Sequence, residues 1–117
     1  MKRITLLVIF ALSVIVSTVY ANPPSDIKIA FDAKTKTLQA VIIHNTNNPL
    51  KHYVKKVVVG LNGQEIIEHT ISKEDNNESQ TVSYLIPDVK ESDVISVEGH
   101  CSISGTLKKE ITVKSGK

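Results

Sequence analysis

The chain has 117 residues, with 14 basic and 12 acidic side chains and a formal net charge of +2 at pH 7. This length suits one small domain with a modest core, and the near balance of charge excludes the strongly basic surface of nucleic-acid-binding domains. The single cysteine excludes an internal disulfide, so its thiol is a small buried hydrophobe, a reactive group or a metal ligand.

The N-terminal stretch has the pattern of a secretory signal peptide. Lys2 and Arg3 precede an almost unbroken apolar run over residues 4–20, and a signal-peptidase site ends at Ala21. We predict cleavage after Ala21 and one mature domain over residues 22–117. The run is at the short limit for a membrane span, so an uncleaved N-terminal anchor is the alternative.

Export predicts a secreted or periplasmic location, where cysteines commonly pair into disulfides. The leader carries two of the 14 basic residues and none of the 12 acidic ones, so the mature chain is formally neutral. We therefore predict no nucleic-acid partner, and no membrane association once the leader is removed.

The mature sequence is typical of an all-β domain, without a convincing helical period. Seven short runs rich in aliphatic and β-branched residues follow one another, with turn signals about ten residues apart. They cover residues 27–31, 37–43, 53–61, 64–72, 81–86, 94–103 and 106–113. This order predicts a seven-stranded immunoglobulin-like β-sandwich.

The third and fourth runs form a predicted hairpin. Asn62-Gly63 separates them, and both residues of a type I′ turn need positive φ, which Asn and Gly tolerate best. Counting back from this turn pairs Val59 with Ile66 and Lys56 with His69. The polar stretch over residues 73–79 predicts a solvated loop.

Groups able to carry chemistry are few. The chain has four histidines and one cysteine, and it contains neither a Gly-rich phosphate loop nor a G-x-S-x-G motif. His44 ends the second run, His52 starts the third, and Cys101 lies near the end of the sixth. Because the loops of a sandwich cluster at its two ends, we expect these three residues to meet at one edge of the domain.

The other two histidines are predicted to be structural. His69 is a lone mid-strand histidine without a partner at ligand spacing. Strand alternation places Cys101 on the inner face, together with Ile95 and Val97, and turns His100 to the other face.

Two segments resemble the metal-binding motifs of the superoxide reductase family, which includes neelaredoxin and the iron-binding domain of desulfoferrodoxin. HNTNNPLKHYVKKVVVGLNGQEI over residues 44–66 is similar to the first motif, and HCSISG over residues 100–105 to the second, Cys-Asn-x-His-Gly. The resemblance covers roughly residues 27–113 in order and spacing. It implies the same seven-stranded immunoglobulin-like fold.

The resemblance also implies a ferrous iron cofactor. By position, His44 and His52 match two equatorial histidine ligands, Cys101 matches the axial thiolate, and Gly105 matches the glycine that ends the second motif. Family members reduce superoxide to peroxide by one electron, so superoxide and an unidentified electron donor are the implied partners. The family site has four histidines and one cysteine, with a sixth position open.

This chain departs from that ligand set in two places. Ser104 stands where the second motif has its histidine, and residues 22–43 contain no histidine, which leaves three of the five ligands. A His₂Cys set still suits zinc, copper or ferrous iron. The alternatives are a non-catalytic β-sandwich that serves as a binding or structural module after losing its metal site, and a thiol-mediated carrier or dimer formed through Cys101.

Overall fold

A computed structural model describes residues 22–115. The predicted signal peptide over residues 1–21 lies outside this part. Seven strands make up the fold, and the all-β prediction is confirmed. They are β1 (Asp26–Asp32), β2 (Thr37–Ile43), β3 (Val54–Leu61), β4 (Gln64–Thr70), β5 (Ser79–Leu85), β6 (Val94–Cys101) and β7 (Thr106–Thr112). A search of residues 22–115 for helices long and apolar enough to span a bilayer found none.

The strands form two antiparallel sheets. One has three strands in the order β1-β2-β5, and the other has four in the order β4-β3-β6-β7. Alternate side chains of the central strands point inward, so both sheets contribute to one buried core. Its fully buried members include Leu38, Ile42, Val57, Val59, Ile95 and Val97. Burying each such side chain contributes roughly 1.5–3 kcal/mol, and this core fixes the positions of the loops at its ends.

The hairpin between β3 and β4 has the predicted turn but a different register. Asn62 (φ 52°) and Gly63 (φ 84°) have positive φ, as a type I′ turn requires. Gly60 pairs with Glu65, but Val59 pairs with Ile67, not with Ile66 as predicted. A β-bulge at this point adds one residue to β4, so every pair beyond it shifts by one. His69 therefore lies opposite Val57, and the predicted pairing with Lys56 is wrong.

Three loops are joined by main-chain hydrogen bonds at one end of the sheets. The loop after β2 is tied to the loop before β5, because the N–H of His44 donates to Glu78 at 2.9 Å and that of Thr46 to Asn77 at 2.9 Å. The start of β3 is tied to the β6–β7 turn, because the N–H of Ser102 donates to Tyr53 at 2.8 Å. This end of the domain carries the candidate functional residues.

Candidate metal centre

His44, His52 and Cys101 come together at this end of the domain. Their candidate ligand atoms all lie within 4.8 Å of one another. The side chains of His44 and Cys101 are buried, at 2% and 3% exposure, and His52 is half-buried. The expected convergence of two imidazoles and one thiol is therefore observed, and their role as ligands remains a prediction.

Glu74 holds the imidazole of His44. Its Oε1 lies 2.5 Å from Nδ1 of His44 and accepts the Val54 N–H at 3.2 Å. When the Glu74 carboxylate is ionised it only accepts, and Nδ1 of His44 then carries the hydrogen. Metal-bound histidines commonly make such a bond, which fixes the tautomer and orients Nε2.

The prediction that residues 73–79 form a solvated loop is wrong for Glu74. This residue is completely buried, although its neighbours Lys73 and Asp75 are exposed. Its own N–H donates to the carbonyl of Pro49 at 3.2 Å, which joins the loop to the one that carries His44 and His52. Tertiary contacts therefore draw one of three acidic side chains in this segment inward.

Nε2 of His52 is buried and has no hydrogen-bond partner. The ring meets that of His44 edge to face, with centroids 4.6 Å apart and planes at 86°. Burial lowers the pKa of His52 below its usual value of 6.5, the charge of His44 lowers this pKa further, and the Glu74 carboxylate opposes both effects. The neutral ring thus favoured is the form that binds metal ions.

The position of Cys101 is fixed by the end of β6. Cys101 pairs with Val54 of β3, and its N–H donates to the carbonyl of Gly105 across the turn at 3.0 Å. The Ile103 N–H points at Sγ from 3.5 Å. A backbone donor of this kind tunes the properties of a metal-bound sulfur.

Buried polar atoms without a hydrogen-bond partner are concentrated at the end of the domain that carries His44, His52 and Cys101. Within residues 22–115, the buried side-chain nitrogens and oxygens without a partner are His52 Nε2, Glu74 Oε2 and Ser104 Oγ. A buried polar group left unsatisfied costs about 1–3 kcal/mol. All three belong to the loops that carry or flank the His44, His52 and Cys101 group, so these unmet contacts favour a bound ligand at this end.

The three donors fit one transition-metal ion. Metal–nitrogen bonds of about 2.0–2.1 Å and metal–sulfur bonds of about 2.3 Å place two donors of one ion roughly 2.9–4.4 Å apart as the angle between them goes from 90° to 180°. Ligand atoms that lie up to 4.8 Å apart can all reach one ion after side-chain movements on the order of 1 Å. Imidazole and thiolate donors select soft or borderline ions, which include zinc, copper and ferrous iron.

The remaining histidines have partners outside this group. His69 Nδ1 lies 2.7 Å from the Tyr84 hydroxyl, with the rings edge to face. His100 Nε2 lies 2.5 Å from a carboxylate oxygen of Glu98, on the face opposite the buried Cys101, as strand alternation predicts. Both contacts are consistent with structural roles for His69 and His100.

Sequence reasoning missed two residues of the site, Glu74 and Asn22. The main-chain carbonyl oxygen of Asn22 lies 3.1 Å from Nε2 of His44. Since the contact uses a backbone carbonyl, no pattern of side chains in the sequence predicts it. Glu74 lies in a polar, acidic stretch of ordinary loop composition, so the sequence does not predict its burial either.

Comparison of the chain with protein-family models and with curated proteins found no match in either case.

Proposed function

We propose that this chain is an exported metal-binding protein of superoxide reductase type, with one ferrous ion held by His44, His52 and Cys101. The observation that carries the proposal is the group of three candidate ligand atoms within 4.8 Å of one another, around an unpartnered buried Nε2 of His52. Two antiparallel sheets around one core support the immunoglobulin-like sandwich that the resemblance implies.

Each residue has a defined task in this proposal. Glu74 orients His44 through Nδ1, burial lowers the pKa of His52 and so favours its neutral ring, and Cys101 would supply a thiolate to a bound metal. Superoxide takes up one electron and two protons to give hydrogen peroxide, and ferrous iron, when bound, would supply that electron. An external electron donor then has to restore the reduced state.

Access to the site suits a small polar substrate. Asn22, Asn45, Thr46, Asn47, His52 and Asn77 line an open pocket beside the candidate centre. Amide and hydroxyl groups bind an anion by hydrogen bonds and add no fixed charge. This lining supports a small oxygen anion as the substrate.

A specific observation favours the second candidate, a non-catalytic β-sandwich module that has lost its metal. Both ring nitrogens of His44 already face oxygens of the protein, Glu74 Oε1 at 2.5 Å and Asn22 O at 3.1 Å. With Ser104 in place of a histidine, four equatorial imidazoles are not available. In this reading, His44 and Glu74 form a structural pair.

Elemental analysis of the exported protein, purified without a metal-affinity tag, separates the two candidates. The metal-binding proposal predicts one iron per chain and a visible thiolate-to-iron charge-transfer band after oxidation. His52→Asn should remove both signals, whereas His69→Asn is the matched control because His69 contacts Tyr84 and not the site. A protein that binds no iron even after reconstitution with Fe²⁺ supports the non-catalytic module. Superoxide consumption by the iron-loaded protein then tests the activity itself.

A further inference from the structure

The segment just before β1 passes over the candidate metal centre. The carbonyl oxygen of Asn22 lies 3.1 Å from Nε2 of His44, the ring nitrogen that Glu74 does not contact. Asn22 and His52 also line the same pocket. The carbonyl thus contacts the imidazole of His44, and Asn22 borders the same pocket as that of His52.

This distance matches two donors in one coordination shell. Bonds of about 2.0–2.2 Å that meet at 90–110° place neighbouring donors roughly 2.8–3.6 Å apart. The Asn22 oxygen can only accept, so its contact with Nε2 of His44 is favourable when that nitrogen carries a hydrogen or when a metal ion lies beside both atoms. A bound ion would take the place of that hydrogen, with movements on the order of 1 Å that set both atoms at bonding distance from it.

The segment is held in place by close packing. A Cβ on Gly105 would lie 2.8 Å from the backbone nitrogen of Pro23, and a Cβ on Gly99 would lie 3.3 Å from the Pro24 side chain. The Ser25 N–H donates to the carbonyl of Ile43 at 2.8 Å. The carbonyl of Asn22 is thus fixed against the β6–β7 turn, which follows Cys101 directly.

We infer that the main-chain carbonyl oxygen of Asn22 is a fourth protein ligand of the metal held by His44, His52 and Cys101. This inference rests on the proposed metal site. It completes a set of two imidazoles, one thiolate and one carbonyl oxygen, and it compensates for one of the missing histidines. A His₂Cys set with a weak backbone oxygen is a known copper arrangement, and four donors also suffice for zinc.

Carbon-13 NMR of the uniformly labelled exported protein tests this assignment, with Zn²⁺ as a diamagnetic probe. We expect the carbonyl signal of Asn22 to move on addition of one equivalent of Zn²⁺, together with the Cβ signal of Cys101. If the Cys101 signal moves and that of Asn22 does not, zinc binds without the carbonyl and the inference is wrong. If neither moves, there is no metal site, and the proposed function fails as well.

A pair of glycine variants gives a second readout. Gly105→Ala and Gly63→Ala both place alanine at positive φ, 95° and 84°, but only the first pushes against Pro23. We expect Gly105→Ala to weaken Zn²⁺ binding by roughly tenfold or more, within the range seen for supporting contacts of metal sites, and Gly63→Ala to leave it unchanged. Equal affinities in the two folded variants would overturn the inference.

Discussion

His44 and Glu74 form a buried imidazole–carboxylate pair, with Nδ1 and Oε1 2.5 Å apart and both side chains almost completely excluded from solvent. The two residues are 30 positions apart in the chain. The pair joins the end of β2 to the loop before β5, and its second acceptor contact, to Val54, ties it to β3. It orients one candidate metal ligand and crosses between the two sheets.

Replacing Glu74 by Gln should weaken metal binding. The variant removes the negative charge behind His44, and loss of such a supporting contact typically costs about 10–100-fold in metal affinity. Competition titration with Zn²⁺ and a chromophoric chelator measures the change. Glu78→Gln, an exposed change in the same loop, is the control and should bind like the unaltered protein. Equal affinities for the two variants would contradict the role given to Glu74.

His44→Ala should destabilise the metal-free protein by about 3–5 kcal/mol, because it removes the side-chain partner of the buried Glu74 carboxylate and leaves only the Val54 N–H. Denaturant unfolding in the presence of a chelator gives the free energy. Adding Glu74→Gln to His44→Ala should recover part of the loss, since the unpaired charge is then gone. His52→Ala is the comparison, because Nε2 of His52 has no hydrogen-bond partner. If His44→Ala lowers the free energy of unfolding no more than His52→Ala does, this prediction is wrong.

Cys101 should react slowly with thiol reagents in the folded protein. Its side chain is 3% exposed, so modification requires local or global opening of the domain. Colorimetric thiol titration with and without guanidinium measures the difference. A monomer on a non-reducing gel is expected. Rapid labelling or a disulfide-linked dimer would instead support the thiol-mediated carrier or dimer.

The acid stability of the domain should depend on Asp93. The hydrogen bond from the Asn62 side chain, followed by that from the Lys90 N–H, lowers the pKa of Asp93 below its usual 3.8. Because the folded-state pKa lies below the unfolded value, this carboxylate stabilises the fold above about pH 4 and the benefit is lost as the pH falls through the folded-state pKa.

Asp93→Asn should therefore lose less stability than the unaltered protein between pH 5 and pH 2. Thermal unfolding across this range is the measurement. Asp88→Asn, at an exposed position in the same connector, is the control. If the thermal stability of Asp93→Asn falls with pH in parallel with that of the unaltered protein, the contact with Asn62 does not stabilise the fold.

Local signals in the sequence were sufficient for most of the strand arrangement. Seven runs of β-branched and aliphatic residues correspond to the seven observed strands, because period-two burial and turn chemistry act over a few residues. Asn62-Gly63 predicted the hairpin turn, whose positive φ values are observed. The register beyond Val59 was predicted wrongly, since counting back from the turn does not include the β-bulge between Val59 and Gly60.

The candidate site, like the fold, was predicted from the sequence only in part. The convergence of His44, His52 and Cys101 followed from strand order, because each lies at a strand end that a sandwich gathers at one edge. Strand order did not predict the burial of Glu74 or the approach of the Asn22 carbonyl to His44. Both depend on contacts between loops distant in the chain, and one uses only a backbone oxygen.

Neighbouring residues and side-chain chemistry were enough to specify the strand content, the main turn and which three side chains offer soft donor atoms. The tertiary structure decided which carboxylate supports His44, where the hairpin is offset and which backbone oxygen faces Nε2 of His44. Those outcomes depend on how the core is filled and how buried polar groups find partners, which are properties of the whole domain.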